Sequence, residues 1–211
     1  MAGSHEGQPV LHAGESLERA STAMILVHGR GASAADIMTI AAEVMFPGIA
    51  YLAPQAAGSA WYPYPFTAPL EANEPYLSSA LQVLSSLVAK VETTVPSGRL
   101  VLVGFSQGAC LTLEFAARNA RRFGGVVGLS GGLIGPDGTP RDYPGEFQRT
   151  PVFLGCSDVD PHIPKERVIE AGEVFERMGA DVTVRLYPDM AHTVSPDEIE
   201  AVRAIVTGIA V

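Results

Sequence analysis

Cysteine is scarce in this sequence: only two of its 211 residues are cysteine, Cys110 and Cys156. They lie in separate apolar runs, too far apart in the sequence for a zinc-binding or redox-active pair. We therefore expect two buried, reduced thiols, and we expect neither a metal site nor a cofactor.

Positive charge is also scarce, because 14 Lys and Arg residues stand against 23 Asp and Glu, and the formal net charge at pH 7 is -9. A chain of this charge offers no general surface for neutralising phosphates, which argues against nucleic acid and anionic membranes as partners. The sequence has no apolar run that approaches the length of a membrane span, and residues 1–8 lack the apolar core of a secretion signal. We therefore expect a soluble cytoplasmic protein.

Apolar residues, at 47% of the chain, form short runs that alternate with helical patterns. This alternation predicts one α/β domain over residues 1–211, with a mostly parallel sheet and helices on both of its faces. The runs that predict strands are 24–27, 99–103, 125–129, 151–154 and 181–186. The first three should form the centre of the sheet because they are almost wholly apolar, and the last should lie nearer an edge because it alternates.

Apolar stripes at three- or four-residue spacing predict the covering helices. These stripes occupy residues 77–91, 168–178 and 199–209, and further helices should begin near Ser33 and after Gly108. Residues 1–20 are an N-terminal extension that could form a short edge hairpin. Residues 54–75 and 130–150 are predicted to be long loops, which in compact domains often carry function.

The sharpest local signal is Gly104-Phe105-Ser106-Gln107-Gly108, directly after one predicted strand and directly before a helix. A strand that turns abruptly into a helix needs small residues on either side of a strained central one, and it pushes that residue's side chain out at the edge of the sheet. The pattern favours Ser106 as a nucleophile. The alternative is that Ser106 only caps a helix in a glycine-rich turn.

A serine nucleophile needs a base and an orienting carboxylate, which in this fold follow it in the order Ser, Asp, His. His192 lies between the last predicted strand and the last helix, so it should overhang the carboxyl edge of the sheet. Two aspartates, Asp158 and Asp160, follow the strand near residue 154. We favour Asp160, which is held between the strand and Pro161, and keep Asp158 as the alternative.

A second glycine-rich turn, His28-Gly29-Arg30-Gly31, follows the first central strand. Its glycines would let the backbone approach the catalytic centre, so the N–H groups of Arg30 and Gln107 could form an oxyanion hole. The alternative is a plain connection between a strand and a helix.

An aromatic segment, residues 60–66, lies in the first long loop. We predict that it forms one wall of a substrate pocket, with Trp61 and Phe66 in contact with substrate. The alternative is that its rings only pack against the core, as most aromatic side chains do.

Together these motifs resemble the phospholipase/carboxylesterase family of α/β-hydrolases, which includes the acyl-protein thioesterases. The resemblance runs from about residue 24 to the C-terminus and rests on the His28 turn, the Ser106 motif, Asp160-Pro161-His162-Ile163-Pro164 and His192. It supports Asp160 as the acid, and it implies a small enzyme without a cap domain that acts as a monomer or homodimer.

The resemblance also implies that Gln55 and Trp61 lie at the entrance of the site. Gln55 stands where the family usually has His, Arg30 where the thioesterases commonly have Leu, and Ser157 where the acid loop has Gly. These departures leave the substrate open.

The function that follows is a serine carboxylesterase that hydrolyses small to medium ester or thioester molecules through an acyl-enzyme. Two alternatives remain open from the sequence. One is a non-catalytic protein that uses the same fold to bind a ligand. The other is a dienelactone-type hydrolase, a group that resembles this scaffold but uses cysteine as its nucleophile.

Overall fold

Seven strands form the sheet in this computed structural model, which describes residues 4–210. The strands are β1 (Val10–Gly14), β2 (Thr22–Val27), β3 (Ile49–Pro54), β4 (Leu100–Phe105), β5 (Gly125–Leu129), β6 (Pro151–Ser157) and β7 (Asp181–Tyr187). They are ordered β1-β3-β2-β4-β5-β6-β7. All neighbours pair in parallel except β1, which is antiparallel to β3.

Within the described residues, five α-helices cover the sheet: α1 (Ala34–Glu43), α2 (Tyr76–Glu92), α3 (Gln107–Arg118), α4 (Lys165–Arg177) and α5 (Pro196–Ala210). Buried residues of α2, α3 and α4 form one apolar cluster with one face of the sheet, and α1 and α5 form a second cluster with the other face. The α/β fold with a mostly parallel sheet and helices on both faces is therefore confirmed.

The centre of the sheet is where the sequence predicted it. Strands β2, β4 and β5 are adjacent, and β2 and β5 are buried at every residue. Strand β7 lies at the edge of the sheet, as its alternating pattern predicted, and each of its residues is partly or fully exposed. Continuous apolar runs mark strands buried on both faces because parallel sheets are covered by helices on both sides.

One strand, β3, was not predicted, and β1 was expected only as part of a possible edge hairpin. Strand β3 is buried throughout, but its six residues follow closely on α1 and carry no alternation that separates them from a helix. Strand β1 lies at the edge of the sheet with a mixed burial pattern. Within residues 4–20, the extension therefore adds one antiparallel strand instead of a hairpin.

The two long loops meet at the carboxyl ends of the central strands. The first, residues 55–75, contains short 3-10 turns at Ala57–Ser59 and Leu70–Asn73. The second, residues 130–150, contacts it through a hydrogen bond from the Gly135 N–H to the Phe66 carbonyl oxygen, at 2.7 Å.

In the described part of the chain, no helix is long and apolar enough to cross a membrane.

Candidate active site

Ser106 lies at the sharp turn between β4 and α3. Its backbone adopts φ 54° and ψ −122°, a region that non-glycine residues rarely occupy. Its N–H donates to the Leu129 carbonyl oxygen of β5 at 2.9 Å, which secures the turn to the neighbouring strand. Strain of this kind persists only where the surrounding structure enforces it, and it often marks a functional residue.

The two glycines of the motif make this turn possible. A Cβ atom on Gly104 would lie 2.3 Å from the Gly108 carbonyl oxygen, and one on Gly108 would lie 2.1 Å from the Val27 carbonyl oxygen. Neither distance is compatible with a side chain. Strand β4, helix α3 and the end of β2 can therefore pass this closely only with glycine at both positions.

His192 joins Ser106 to an acidic side chain. Its Nε2 lies 2.9 Å from the Ser106 Oγ, and its Nδ1 lies 2.6 Å from an Asp160 carboxylate oxygen. An ionised carboxylate only accepts hydrogen bonds, so Nδ1 carries the proton and Nε2 is free to accept one from Ser106. The structure thus brings Asp160, which lies 32 residues before His192, and Ser106, which lies 86 residues before it, into contact with the same imidazole ring.

Asp160 is held by its own loop. Its side chain is fully buried, and its second carboxylate oxygen accepts hydrogen bonds from the N–H groups of His162 at 2.8 Å and Ile163 at 3.0 Å. Burial by itself raises the pKa of the Asp160 carboxyl, but the hydrogen bonds from His192, His162 and Ile163 outweigh it and lower the pKa below its usual value. The carboxylate therefore stays ionised at neutral pH.

Asp158 lies in the same loop but faces a different partner. One of its carboxylate oxygens accepts a hydrogen bond from the Asp189 N–H at 3.0 Å. Asp189 belongs to the segment that leads from β7 to His192, so Asp158 supports the loop that carries the imidazole. The geometry therefore favours Asp160 over Asp158 as its direct partner.

The His28 turn packs directly against the nucleophile. A Cβ atom on Gly29 would lie 3.3 Å from the Ser106 Cβ. Arg30 follows it, and Gln107 is the first residue of α3, where backbone N–H groups have no partner within the helix. Both residues line the same cavity as Ser106.

The side chains of Arg30 and Gln107 hold the aromatic segment. The Arg30 guanidinium donates to the carbonyl oxygens of three consecutive residues, Tyr62, Pro63 and Tyr64, at 2.8 to 3.0 Å. The Gln107 amide accepts from the Trp61 N–H and donates to the Tyr62 carbonyl oxygen. The Arg30 side chain therefore has a role in this chain that a leucine could not fill.

A cavity of about 720 Å³ opens over the nucleophile, a size typical of small-molecule sites. Its outer rim is exposed and its inner wall is buried. The rim consists of Arg30, Pro63, Pro65, Pro161 and His162, and the inner wall of Tyr62, Phe66, Gln107, Cys110 and Ile163. Ser106 and His192 also line the cavity and are partly exposed.

The three residues predicted to bind substrate, Gln55, Trp61 and Phe66, differ in whether they line the cavity. Phe66 lines the cavity, whereas Trp61 and Gln55 are not among the residues that line it. Trp61 is 0% exposed, and its indole N–H donates to the His28 carbonyl oxygen. Gln55 accepts from the Ala34 N–H at the start of α1 and donates to the Ala56 carbonyl oxygen, so it joins the end of β3 to α1.

Other features of the site were not predicted from the sequence. Cys110, Ile163 and His162 line the cavity, and Cys110 also belongs to the core cluster, where the sequence placed it. The His162 ring lies edge-on to His192, with 4.9 Å between ring centroids. His5, from the N-terminal extension, contacts the Trp61 carbonyl oxygen through Nε2 at 2.8 Å. No periodic pattern marks these residues, because they meet only through tertiary structure.

Both thiols are free and buried, as predicted. Among residues 4–210, no group of three His, Cys, Asp or Glu side chains is arranged to hold a metal ion.

The nature of the site follows from the direction of its hydrogen bonds. Because Asp160 holds the Nδ1 proton of His192, Nε2 can take the hydroxyl proton of Ser106 and turn a weak nucleophile into a strong one. The serine stands at the carboxyl edge of a parallel sheet, on a strained turn before a helix. The fold and this geometry define the class as a serine hydrolase of the α/β-hydrolase fold.

The chain belongs to the phospholipase/carboxylesterase family, whose family model matches residues 12–208. A crystal structure described as a phospholipase/carboxylesterase from Dyadobacter fermentans is similar to it, with 41% sequence identity, a TM-score of 0.91, and coverage of 95% of this chain and 97% of that one.

Among curated proteins, acyl-protein thioesterase 1 of Gibberella zeae is 33% identical over 118 residues, which are 54% of this chain and 50% of the relative. Acyl-protein thioesterase 1 of Saccharomyces cerevisiae is 27% identical over 61% of this chain and 57% of the relative. The matches thus span only about half the length of these thioesterases. The structure of acyl-protein thioesterase 2 from Zea mays shares the fold, with a TM-score of 0.73 at 16% identity.

Proposed function

We propose that this protein is a serine carboxylesterase that hydrolyses small to medium carboxylic esters or thioesters through an acyl-enzyme. The observation that carries the proposal is the hydrogen-bonded series Ser106, His192 and Asp160, which opens into the cavity. Membership of the phospholipase/carboxylesterase family supports it.

In the proposed mechanism, the Ser106 Oγ attacks the ester carbonyl carbon while His192 Nε2 takes its proton. The N–H groups of Arg30 and Gln107 stabilise the negative charge that develops on the carbonyl oxygen. The tetrahedral intermediate then breaks its bond to the leaving group, which receives the proton from His192. Water repeats the sequence on the acyl-enzyme, releasing the acid and restoring Ser106.

The cysteine alternative is disfavoured by the state of Cys110, the thiol that lines the cavity together with Ser106. Cys110 is buried, and burial raises the pKa of its thiol to about 12. The thiolate is the reactive form of cysteine, so a thiol of this kind is inert at neutral pH. A dienelactone-type mechanism with a cysteine nucleophile therefore has no suitable group in this cavity.

The non-catalytic alternative is disfavoured by the geometry around His192. A protein that only binds a ligand gains nothing from a buried carboxylate that orients an imidazole toward a strained serine. Keeping a non-glycine residue at φ 54° costs stability, and this cost is explicable where the serine must react.

The test of the proposed function is hydrolysis of two matched series, p-nitrophenyl esters and acyl thioesters with acyl chains of two to sixteen carbons. We expect turnover with at least one series, a burst of product equal to the enzyme concentration where deacylation is slow, and a maximum at short to medium chains. No turnover on any member, together with no labelling of Ser106 by a fluorophosphonate, would contradict the proposal.

Phe66 and Trp61 are expected to respond differently to truncation. Phe66→Ala should change the order of preference among acyl lengths, because Phe66 lines the cavity and each methylene in apolar contact contributes about 1 kcal/mol. Trp61→Ala should instead lower the melting temperature and keep the order, since removal of a buried aromatic ring costs about 3 to 5 kcal/mol. The measurements are the chain-length profile and the melting curve of each variant. A changed profile in Trp61→Ala with an unchanged one in Phe66→Ala would reverse these assignments.

The remaining features are proposed on the sequence alone. They are a single domain without a cap, a monomer or homodimer, and a place in the cytoplasm.

A further inference from the structure

His5 is buried although it belongs to the N-terminal extension. It is 1% exposed, and it precedes residues 12–208, which the family model matches. The chain then leads into β1 through Pro9, whose carbonyl oxygen accepts a hydrogen bond from the Gln55 N–H at 3.0 Å. We call residues 5–9 the N-terminal strap. A buried imidazole needs polar partners for its nitrogens, and those partners show what the strap holds.

Both ring nitrogens of His5 have a partner in the first long loop. The Ala57 N–H donates to Nδ1 at 3.1 Å, and Nε2 lies 2.8 Å from the Trp61 carbonyl oxygen. Because an N–H can only donate, Nδ1 carries no proton, so the proton of the neutral ring is on Nε2 and is donated to Trp61. Burial lowers the pKa of His5, and the hydrogen bond to Trp61 opposes this effect only in part. The imidazole is therefore neutral at neutral pH and holds two points of the loop.

Helix α2 fixes His5 from the other side. The His5 backbone N–H donates to the Ser79 Oγ of this helix at 2.9 Å. The imidazole ring lies tilted against the Trp61 ring, with 5.5 Å between centroids, and edge-on to the Tyr76 ring of α2 at 6.3 Å. His5 thus connects α2 to the start of the aromatic segment.

The bond to Trp61 is the first of a continuous series along the aromatic segment. The carbonyl oxygen of each residue from 61 to 66 accepts a hydrogen bond. The donors in chain order are His5 to residue 61, Arg30 and Gln107 to residue 62, Arg30 to residues 63 and 64, Asn73 to residue 65 and Gly135 to residue 66. An irregular loop has no ladder of its own, so bonds of this kind fix its backbone.

The segment held in this way supplies part of the cavity wall. Tyr62 and Phe66 line the cavity, and the backbone of both is fixed by the series. The reacting groups are held separately, because the imidazole of His192 is hydrogen-bonded to Ser106 and Asp160. Loss of the first bond of the series should therefore loosen the wall and leave the reacting groups in place.

We propose that His5 is a positioning residue for substrate binding, which holds the Trp61 carbonyl oxygen and thereby keeps residues 61–66 in the conformation that accepts the acyl group. The inference rests on the proposed esterase function. It gives the N-terminal strap a role in the active site although His5 itself lies outside the cavity. A loose wall must be ordered each time substrate binds, and this ordering weakens binding without slowing the chemical step.

The test is His5→Leu, which fills the buried site with an apolar side chain of similar size and removes both ring hydrogen bonds. The quantities measured are kcat and KM for p-nitrophenyl hexanoate, at a temperature well below the melting transition of each protein. We expect KM to rise about tenfold, the effect of one lost hydrogen bond, with kcat within about twofold of the wild-type value.

His5→Gln is the conservative comparison. The glutamine amide has a donor and an acceptor, as the neutral imidazole has, so it can keep a hydrogen bond to the Trp61 carbonyl oxygen. KM should return to within about threefold of the wild-type value. A residue that served only the stability of the fold would change the melting temperature of both variants and leave KM unchanged.

His12→Leu is the matched control. It makes the same substitution in the same extension, at an exposed side chain of β1. Both kcat and KM should stay at their wild-type values.

The emission of Trp61 reports on the proposed anchor directly, because Trp61 is the only tryptophan in the sequence. Its side chain is fully buried, so acrylamide, a collisional quencher, should reach it slowly in the wild-type protein. Quenching should become faster in His5→Leu, less so in His5→Gln, and stay unchanged in His12→Leu.

A binding measurement separates this inference from the proposed function. Methyl hexanoate is titrated into Ser106→Ala, with and without His5→Leu, and the Kd is determined by ligand-observed NMR. Binding that is about tenfold weaker in the double variant supports the inference even if the protein hydrolyses no ester. Equal affinities would overturn the inference even if the esters are hydrolysed.

Three further results would overturn the inference. The first is an unchanged KM in His5→Leu, with or without a lower melting temperature. The second is a fall in kcat at unchanged KM, which would place the effect on the reacting groups. The third is failure of both His5 variants to fold, which would make His5 a structural residue.

Discussion

Ser106→Ala is expected to lower kcat for a p-nitrophenyl ester by about a millionfold, the size of effect seen when a serine protease loses its nucleophile. The physical reason is that, in the proposed mechanism, no other group forms the acyl-enzyme, while the proposed oxyanion hole and the cavity remain. The melting temperature should change little, because the Ser106 Oγ contacts His192 at the edge of the cavity and not the core. The measurements are turnover, melting temperature and labelling by a fluorophosphonate.

Ser130→Ala is a suitable control for this experiment. Ser130 follows the neighbouring strand β5, is also a serine with a positive φ, at 52°, and is fully buried. The Ser130→Ala variant should keep the activity of the wild-type protein. Substantial turnover by Ser106→Ala, or fluorophosphonate labelling of the wild-type protein at a different residue, would remove Ser106 from the proposed role.

The second large effect is expected for Asp160→Asn, with a loss of about 10⁴-fold in kcat. An asparagine keeps the shape and can still accept from the N–H groups of His162 and Ile163. It removes the charge that holds the proton on His192 Nδ1, so the imidazole no longer presents an unprotonated Nε2 to Ser106. The measurement is kcat of the variant and of the wild-type protein at the same, mildly alkaline pH.

Asp158→Asn provides the matched comparison, because it makes the same change two residues away. Asp158 accepts a hydrogen bond from the Asp189 N–H and does not contact the imidazole through any described hydrogen bond. The loss of activity should be far smaller, since asparagine can still accept that bond. A larger loss in Asp158→Asn than in Asp160→Asn would reassign the acid.

Much of the fold could be predicted because its signals are local. The strands β2, β4 and β5 are buried on both faces and therefore read as continuous apolar runs. The sequence allowed an edge hairpin in residues 1–20, but the single strand β1 forms by pairing with the distant strand β3, which no local pattern indicates. Strand β3 escaped because an apolar segment of six residues has no period that distinguishes strand from helix.

The candidate site divides in the same way. The Ser106 turn and the position of His192 depend on residues next to each other in the chain, so the sequence indicates them. The choice between Asp158 and Asp160 depends on where a loop points each carboxylate, and only the folded loop directs Asp160 to His192 and Asp158 to Asp189. The side-chain roles of Arg30 and Gln107 likewise depend on a distant segment. Both side chains donate to the carbonyl oxygen of Tyr62, which lies 32 residues after Arg30 and 45 residues before Gln107.

The sequence by itself determined the α/β class, the centre of the sheet and the likeness to a serine hydrolase, because burial on both faces and a strained turn each require particular residues in a row. Only the tertiary structure decided which aromatic rings face the cavity. Trp61 and Tyr62 are adjacent in the chain, and no sequence pattern distinguishes them. The Trp61 indole donates a hydrogen bond to the His28 carbonyl oxygen, whereas Tyr62 lines the cavity beside Cys110. The physical reason is that a side chain in an irregular loop is directed by hydrogen bonds to distant residues, and no period in the sequence encodes them.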